Sequence, residues 1–255
     1  MIYRPKRGLV LLSLISSLVA CGGGGDDSPA PASTSPEGVF GGKLTGSTST
    51  DFQMIVLENG ELWSLYGINS GSMFGLNGFA QGTVSTNGST FNSANMRDYG
   101  FAPALAGTAN GTFNQSAGTI SGSVSANGQS VSFSGGPIAG SLYNYNTPAT
   151  LANVSGTWTL NTLSSETIFL TVQSNGSLSA TTSLGCSFIG SVTPRPSGKN
   201  VFDATVTFGP APCALPNQTG TGIALAYPTS SSQTQLLVAL QDLSRTYGAA
   251  AFGVR

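Results

Sequence analysis

The 255-residue chain contains no histidine, which removes the commonest general base and the commonest metal ligand of proteins. A Ser-His-Asp triad is therefore excluded, and no G-x-S-x-G motif is present to hold a nucleophilic serine. Only two cysteines follow Cys21, too few for a structural zinc site without histidine. We therefore expect a protein that is not an enzyme, with no metal site and no cofactor.

Charged residues are also scarce, at 7% of the chain. From residue 21 onward, six Lys and Arg stand against ten Asp and Glu, a net charge of −4. Because nucleic-acid binding needs a basic surface, this balance predicts no nucleic-acid partner. Hydrophobic residues nevertheless make up 39% of the chain, and the β-branched and aromatic ones occur in alternating runs, which is typical of folded protein.

The apolar stretch 9–20 follows three basic residues and is shorter than the roughly 18 residues that a membrane span needs. This arrangement is typical of a signal peptide. The stretch ends in Leu18-Val19-Ala20-Cys21, which resembles the lipobox of Gram-negative bacterial lipoproteins. The resemblance implies cleavage before Cys21, with a diacylglyceryl thioether and an N-acyl chain on that residue. Gly22 in the next position implies sorting to the outer membrane.

Residues 22–37 read GGGGDDSPAPASTSPE, a composition without apolar periodicity that indicates a flexible tether. We therefore expect a signal peptide over 1–20 and a lipid-modified tether over 21–37. The protein would then be held to the outer membrane through its lipid. The sequence does not indicate which leaflet carries it.

Asn-Gly pairs between alternating hydrophobic runs predict β-hairpins with two-residue turns. One such hairpin joins 52–57 to 62–66 through Asn59-Gly60. A two-residue turn would set Val56 opposite Trp63. It would place five side chains on one core face: Phe52, Met54, Val56, Trp63 and Leu65.

A second hairpin, which joins 167–173 to 178–181 through Asn175-Gly176, lies 116 residues after the first. Upstream, Val39-Phe40-Gly41 matches Val154-Ser155-Gly156 at an offset of 115. Two features at nearly one spacing predict an internal duplication. The residues that take the places of Phe52, Met54 and Val56 in the second copy are Ile168, Leu170 and Val172.

Many short strands with frequent turns, and no long run of helical periodicity, predict an all-β fold. We expect two small antiparallel β-barrels in tandem, over 38–146 and 148–255, joined near 145–153 with few contacts. A short turn before Gly156-Thr157-Trp158 resembles the opening of a calycin-type barrel. The overall plan resembles Gram-negative lipoproteins with transferrin-binding-protein-like β-barrels.

Cys186 and Cys213 form an even pair in an exported domain, which predicts a disulfide. Glu58 and Glu61 flank the first turn and are the closest pair of carboxylates in the folded region. A glycosidase-like hydrolase would require such a pair, although charged residues at a hairpin tip are usually solvated. Four aromatic residues are candidates for contact with a ligand or partner: Trp63, Tyr66, Tyr143 and Tyr145.

Three functions are compatible with these observations. The first is a non-catalytic, lipid-anchored envelope protein that presents β modules to envelope or surface partners. The second is a calycin-like carrier of a small apolar ligand, because an eight-stranded barrel can hold one. The third is a hydrolase that uses paired carboxylates. Filled, narrow barrels would favour the first, an aromatic-lined cavity open at one end the second, and two converging buried acids the third.

Overall fold

The computed structural model describes residues 35–70, 73–138, 140–213, 215–229 and 232–255. The predicted signal peptide, Cys21 and nearly all of the predicted tether lie outside these residues. Within them, strands account for almost all regular structure, as the turn-rich sequence predicts. The one short helix that they include is a 3-10 turn at Leu151–Asn153.

The first half of the chain forms a closed antiparallel barrel of eight strands. The sheet order is β4-β3-β2-β1-β9-β8-β7-β6, and pairing of β4 with β6 closes it. A short ninth strand, β5, pairs with β6. The strands are β1 (Gly38–Thr45), β2 (Asp51–Val56), β3 (Glu61–Ser70), β4 (Met73–Thr83), β5 (Ser85–Asn87), β6 (Thr90–Asp98), β7 (Leu105–Asn114), β8 (Thr119–Ala126) and β9 (Gln129–Gly136).

The second half forms another closed antiparallel barrel, in which eight strands pair in chain order and β10 meets β17. The prediction of two tandem barrels is thus confirmed. The strands are β10 (Gly156–Thr162), β11 (Thr167–Val172), β12 (Ser177–Thr182), β13 (Ser187–Pro194), β14 (Phe202–Phe208), β15 (Thr219–Pro228), β16 (Thr234–Asp242) and β17 (Gly248–Val254).

The first hairpin differs from its prediction by one residue of register. Its loop is longer than two residues, since Leu57 N donates to Glu61 O (2.8 Å) and Gly60 N donates to Leu57 O (2.9 Å). Gly60 has a φ of +82°, whereas Asn59 has no positive φ, so the pair does not form a type I′ turn. Asn127 and Gly128 do have positive φ and form the expected two-residue turn.

This register moves two residues out of the predicted core face. Val56 pairs with Leu62 and Ile55 pairs with Trp63, so Trp63 and Leu65 do not share a face with Val56. Phe52, Met54 and Val56 point into the first barrel, with Leu62 beside them. Because neighbouring residues of a strand point to opposite faces, the one-residue slip sends Trp63 and Leu65 to the outside of the barrel.

The duplicated hairpin has the same turn in the second barrel. Gln173 N donates to Ser177 O (2.8 Å), Gly176 N donates to Gln173 O (2.9 Å), and Gly176 has a φ of +86°. The two turns therefore equate Val56 with Val172, as predicted.

The match upstream of the hairpin was wrong by three residues. The sequence equates Gly41 with Gly156, as the last residues of the two matching triplets. Strand pairing instead equates Gly38 with Gly156, because Gly38 lies opposite Val56 and Gly156 lies opposite Val172. A short match of common residues does not fix a register, whereas the pairing of two strands does.

The outer faces of the two barrels meet in a shared apolar core. The first barrel contributes β2, β3 and β4, and the second contributes β15, β16 and β17. Apolar side chains therefore line both faces of these strands. The buried members are Ile55, Leu57, Trp63, Leu65, Phe74, Leu76, Phe79 and Tyr99 from the first barrel, Tyr145 from the joining segment, and Val201, Ile223, Leu225, Leu237, Ala239 and Ala250 from the second barrel.

The segment between the barrels does not have the few contacts that the sequence predicts. Tyr143 donates to Asn200 O and stacks on Tyr227, with ring centroids 5.8 Å apart. Asn200 N donates to Tyr145 O (2.9 Å), and Ala149 N donates to Lys199 O (3.2 Å). The join is therefore packed against the second barrel. The domain limits at 146 and 148 stay predictions.

Candidate functional site

The second barrel encloses a cavity of about 430 Å³ that is lined mainly by aliphatic side chains. Alternate residues of each strand point inward, which brings Ile168, Leu170 and Val172 of β11 into the lumen. Across the barrel, Ala204 and Ala224 occupy inward positions and leave the space unfilled. The volume lies within the range of about 300–1,000 Å³ that is usual for small-molecule sites.

One end of this barrel is closed by the chain that precedes β10. Trp158 is buried there and donates from Nε1 to Val154 O (2.7 Å), directly after the 3-10 turn. Arg255 lies over the indole, with its guanidinium carbon 4.0 Å from the ring centroid, and donates to Ser155 O (2.6 Å). The expected short turn before the Gly-x-Trp strand is thus present, and Val154 beside it lines the floor of the cavity.

The opposite end of the cavity is its mouth, formed by the loops that lead into β11, β13, β15 and β17. Cys186 and Cys213 are bonded there with Cα atoms 4.6 Å apart, which confirms the predicted disulfide. Phe188 and Phe208 lie near it, half-buried, with ring centroids 5.6 Å apart. Glu166 is the one charged residue of the described lining.

The first barrel encloses a larger cavity of about 670 Å³ with a more polar neck. Phe52, Met54, Met96 and Phe133 line its depth, together with other apolar side chains. Polar residues of loops and strands surround its mouth. These include Ser47, Thr48, Ser49, Asn77, Asn127 and Gln129.

Tyr66 is the sequence candidate that lines this first cavity. Its hydroxyl donates to Asp98 Oδ1 (2.6 Å). Burial, and then the negative charge of Asp98, raise the pKa of Tyr66 well above its usual value, so the phenol stays protonated. Its ring lies against Gly78 and Gly100, where a Cβ would come within 2.2 Å and 1.9 Å of the hydroxyl oxygen.

The other three aromatic candidates line neither barrel cavity. Trp63 is 2% exposed in the shared core, where it stacks on Phe79 with centroids 6.2 Å apart. Tyr143 and Tyr145 belong to the joining segment, and Lys199 Nζ lies 4.9 Å from the Tyr145 ring centroid. The surfaces of these rings are largely used in contacts within the molecule, and their contact with a ligand or partner stays a prediction.

The carboxylates of the first turn take part in contacts between and within the barrels. Arg195 donates to Glu58 Oε1 (2.7 Å) and to Asp203 Oδ1 (2.6 Å). Although partial burial alone would raise the pKa of Glu58, the hydrogen bond and charge of Arg195 hold it below its usual value. Glu61 instead accepts from Trp63 Nε1 (3.3 Å). These acids are held by partners and do not face each other across a cleft, as acid–base catalysis would need.

Metal-binding clusters and membrane-spanning helices are both absent from the described ranges. These ranges contain no group of three or more His, Cys, Asp or Glu residues able to hold a metal ion. No helix in the same ranges is long and apolar enough to cross a membrane.

The sequence does not indicate Phe101 and Leu163, the apolar residues at the cavity mouths. Neither belongs to a periodic pattern, since both lie in loops. The cavity itself could have been inferred from Ala204 on β14 and from Ala224 and Ala226 at alternate positions of β15, because small inward residues leave room in a barrel.

Comparison with known proteins gives no assignment. No family model matches the chain, and no curated protein matches it. Solved structures similar to it include a DUF3598-family protein of unknown function from Nostoc punctiforme, at 12% identity over 86% of this chain and 93% of that one, with a TM-score of 0.26. Another is isotype 1 transferrin binding protein B from serogroup B Neisseria meningitidis, at 10% identity over 81% of this chain and 52% of that one, with a TM-score of 0.27. Scores this low carry no argument about function.

Proposed function

We propose that the protein is a non-catalytic binding protein that holds a small apolar ligand inside its second barrel. The observation that carries this proposal is the cavity of about 430 Å³, with aliphatic walls, a closed floor and a mouth between loops. Removing apolar surface from water is the main source of affinity in such a site. This is the second of the three functions inferred from sequence, and an unfilled lumen is the feature that distinguishes it from the first. The walls of this lumen are mainly aliphatic, whereas the sequence-based criterion was an aromatic-lined cavity.

The charge at the mouth of the cavity indicates what kind of polar end the ligand has. Glu166 is the charged group of the described lining, and it would repel an anionic head that stops at the rim. We therefore expect an unbranched hydrocarbon chain with a neutral polar end, in the chemical class of a long-chain alcohol or a monoacylglycerol.

The test uses two substitutions at neighbouring positions of β14 that point to opposite faces. Ala204→Phe places a ring in the lumen, whereas Thr205→Phe places the same ring on the exposed outer face. Binding is followed by the fluorescence of N-phenyl-1-naphthylamine, a neutral apolar probe, and by its displacement with 1-dodecanol. We expect Ala204→Phe to weaken binding by about tenfold or more, the equivalent of two methylene groups left in water.

The Thr205→Phe protein is the matched control and should bind as the wild type does. Equal affinities for the two variants, with both folded by circular dichroism, would place the probe outside the second lumen and overturn the proposal. Failure of the wild type to bind the probe or the alcohol would also overturn it.

The location of this binding protein is a further part of the proposal. The lipobox-like Leu18-Val19-Ala20-Cys21 supports attachment to the outer membrane through lipid on Cys21. In Cys21→Ser, we expect the protein to lose membrane fractionation and acyl labelling. Membrane association that is unchanged in this variant would contradict the anchor.

A second candidate function, presentation of a surface to an envelope partner, is supported by two large apolar side chains that are exposed on the outside of the second barrel. Phe169 of β11 is 54% exposed and Ile189 of β13 is 65% exposed, and these two strands lie on either side of β12. We expect Phe169→Ser with Ile189→Ser to reduce crosslinking to an envelope protein and to leave probe binding unchanged. Unchanged crosslinking would exclude Phe169 and Ile189 as the site of contact with the envelope partner.

A further inference from the structure

The mouths of the two barrel cavities share a lip. Four residues line both cavities, and they are Asn77, Gly100, Phe101 and Leu163. Phe101 belongs to the β6–β7 loop of the first barrel, yet it lines the cavity of the second. Leu163 belongs to the β10–β11 loop of the second barrel, yet it lines the cavity of the first. Each barrel therefore supplies an apolar side chain to the entrance of the other.

Contacts between the barrels fix this lip in place. Tyr99 precedes the loop, stacks on Phe79 with centroids 4.6 Å apart, and donates to Gln241 Oε1 of the second barrel (2.7 Å). Ala104 N, at the end of the loop, donates to Thr246 O (2.8 Å). The Phe101 side chain between these fixed ends is 56% exposed, a large apolar surface left in water at the entrance.

The deep parts of the two cavities have similar chemistry, and their necks differ. Both are apolar in their depth, while the neck of the first carries Ser64, Tyr66 and Asp98. Asp98 and Glu166 are the charged residues of the described linings, and both are acidic. Two apolar chambers that meet at a polar, acidic entrance match a molecule with two hydrocarbon chains and a head group that is not anionic.

We propose that the two cavities form one site for a single two-chained amphiphile, with one chain in each barrel and a neutral or cationic head at the shared lip. This inference rests on the proposed function of the second barrel and extends it to the first. Once one chain is bound, the second enters its barrel from a high effective concentration, so the pair binds more tightly than either chain alone.

The test compares a diacylglycerol with the monoacylglycerol of the same acyl chain, by native mass spectrometry and by displacement of N-phenyl-1-naphthylamine. Ala109→Phe fills the first lumen, and Thr108→Phe places the ring on the exposed outer face of the same strand. Ala204→Phe and Thr205→Phe do the same for the second barrel. We expect one diacylglycerol to bind to each protein molecule. In either lumen variant its affinity should fall by about tenfold or more, because one of its two acyl chains is then excluded. The outward variants should bind it as the wild type does.

The possible outcomes separate this inference from the proposed function. If Ala109→Phe leaves diacylglycerol affinity unchanged while Ala204→Phe weakens it, the two-chamber site is overturned and single-barrel binding stands. Binding of two diacylglycerols to one protein molecule would also overturn the two-chamber site. If neither lipid binds the wild type, both proposals fail. A phosphatidylglycerol that binds more tightly than the diacylglycerol would contradict the assignment of the head group.

Discussion

The same hairpin occurs in both barrels, and its outer face differs in chemistry between them. In the first barrel the outward residues include Ile55, Trp63 and Leu65, which are buried against the second barrel. The register equates these three with polar residues that face outward in β11 and β12, namely Thr171, Ser179 and Thr181.

The inner faces of the two hairpins remain alike. Val56 and Leu62 point into the first barrel, and Val172 and Leu178 occupy the matching positions in the second. The inner pattern therefore maintains a barrel, while the outer pattern decides which face of a barrel becomes an interface.

The largest expected effect comes from placing a charge on this outer face. Leu65→Asp buries an unpaired carboxylate in the shared core, where Leu65 is 5% exposed, and should destabilise the protein by about 3–5 kcal/mol. The matched Thr181→Asp lies on an exposed face and should change stability by no more than about 0.5 kcal/mol. Urea denaturation measures both, and similar losses in the two variants would contradict the difference between the outer faces.

The shared core also changes the expectation of independent halves. Fragments cut at the predicted join would expose the apolar outer faces of β2–β4 and β15–β17, which are buried in the intact chain. The join with few contacts that the sequence predicts would have allowed each half to fold alone. With an interface of this kind, we expect the two barrels of the intact chain to unfold together.

Loss of the disulfide gives the next largest effect and tests this coupling. The bond closes a separation of 27 residues in the second barrel, so Cys186→Ser with Cys213→Ser should cost about 3.5 kcal/mol. The two tryptophans of the chain report separately, Trp63 from the shared core and Trp158 from the floor of the second barrel. The Trp63 signal is read in a Trp158→Phe background, and the Trp158 signal in a Trp63→Phe background. On loss of the disulfide, we expect the urea midpoints of both signals to shift to the same lower value. A shift of the Trp158 signal alone would show that the barrels unfold independently.

A smaller effect concerns an ion pair of the first barrel whose matching positions in the second barrel are uncharged. Lys43 Nζ lies 2.5 Å from Asp51 Oδ1, and the corresponding pair of the second barrel is Asn161 and Thr167. Burial alone would raise the pKa of Asp51, but hydrogen bonds from Lys43, Thr50 and Asn69 lower it to about 2 from 3.8. Because the folded-state pKa is the lower one, this stabilisation is present above about pH 4 and is lost as the pH falls through about 2.

We therefore expect Asp51→Asn to be less stable than the wild type by about 1–2 kcal/mol at pH 6, with the difference decreasing between pH 4 and pH 2. Thermal unfolding across this range measures it. Thr167→Ala, at the matching position of the second barrel, should show no such dependence on pH. A difference for Asp51→Asn that stays constant from pH 6 to pH 2 would contradict this explanation of its pKa.

The sequence predicts the class of the fold, the duplicated hairpin and the disulfide, because these depend on local turn chemistry and on cysteine count. It does not predict the register of the first hairpin. An Asn-Gly pair suits both a two-residue turn and a longer loop in which Gly alone has positive φ. Ile55 and Leu57 lie on the opposite face from Val56, so the strand is apolar on both faces. That pattern indicated a second burial surface, which the two-residue interpretation of the turn obscured.

The candidate site was less predictable than the fold. A lumen depends on the sizes of side chains that converge from eight strands, and no local pattern records whether they fill the space. The role of Phe101 and Leu163 at the cavity entrances is still harder to predict, because it depends on how the two barrels pack against each other. Tyr66 was identified as an aromatic candidate, and only the structure shows its hydroxyl bonded to Asp98 inside the first lumen.

The central claim, that the second lumen binds an apolar chain, is tested most directly by the stability of the protein at increasing concentrations of 1-dodecanol. A ligand that binds the folded state raises the free energy of unfolding, by about 2.7 kcal/mol at a concentration 100 times Kd. We expect the wild type and Thr205→Phe to gain stability in parallel with the logarithm of the alcohol concentration, while Ala204→Phe gains far less. A stability that stays constant in all three proteins, or that rises equally in all three, would contradict the claim.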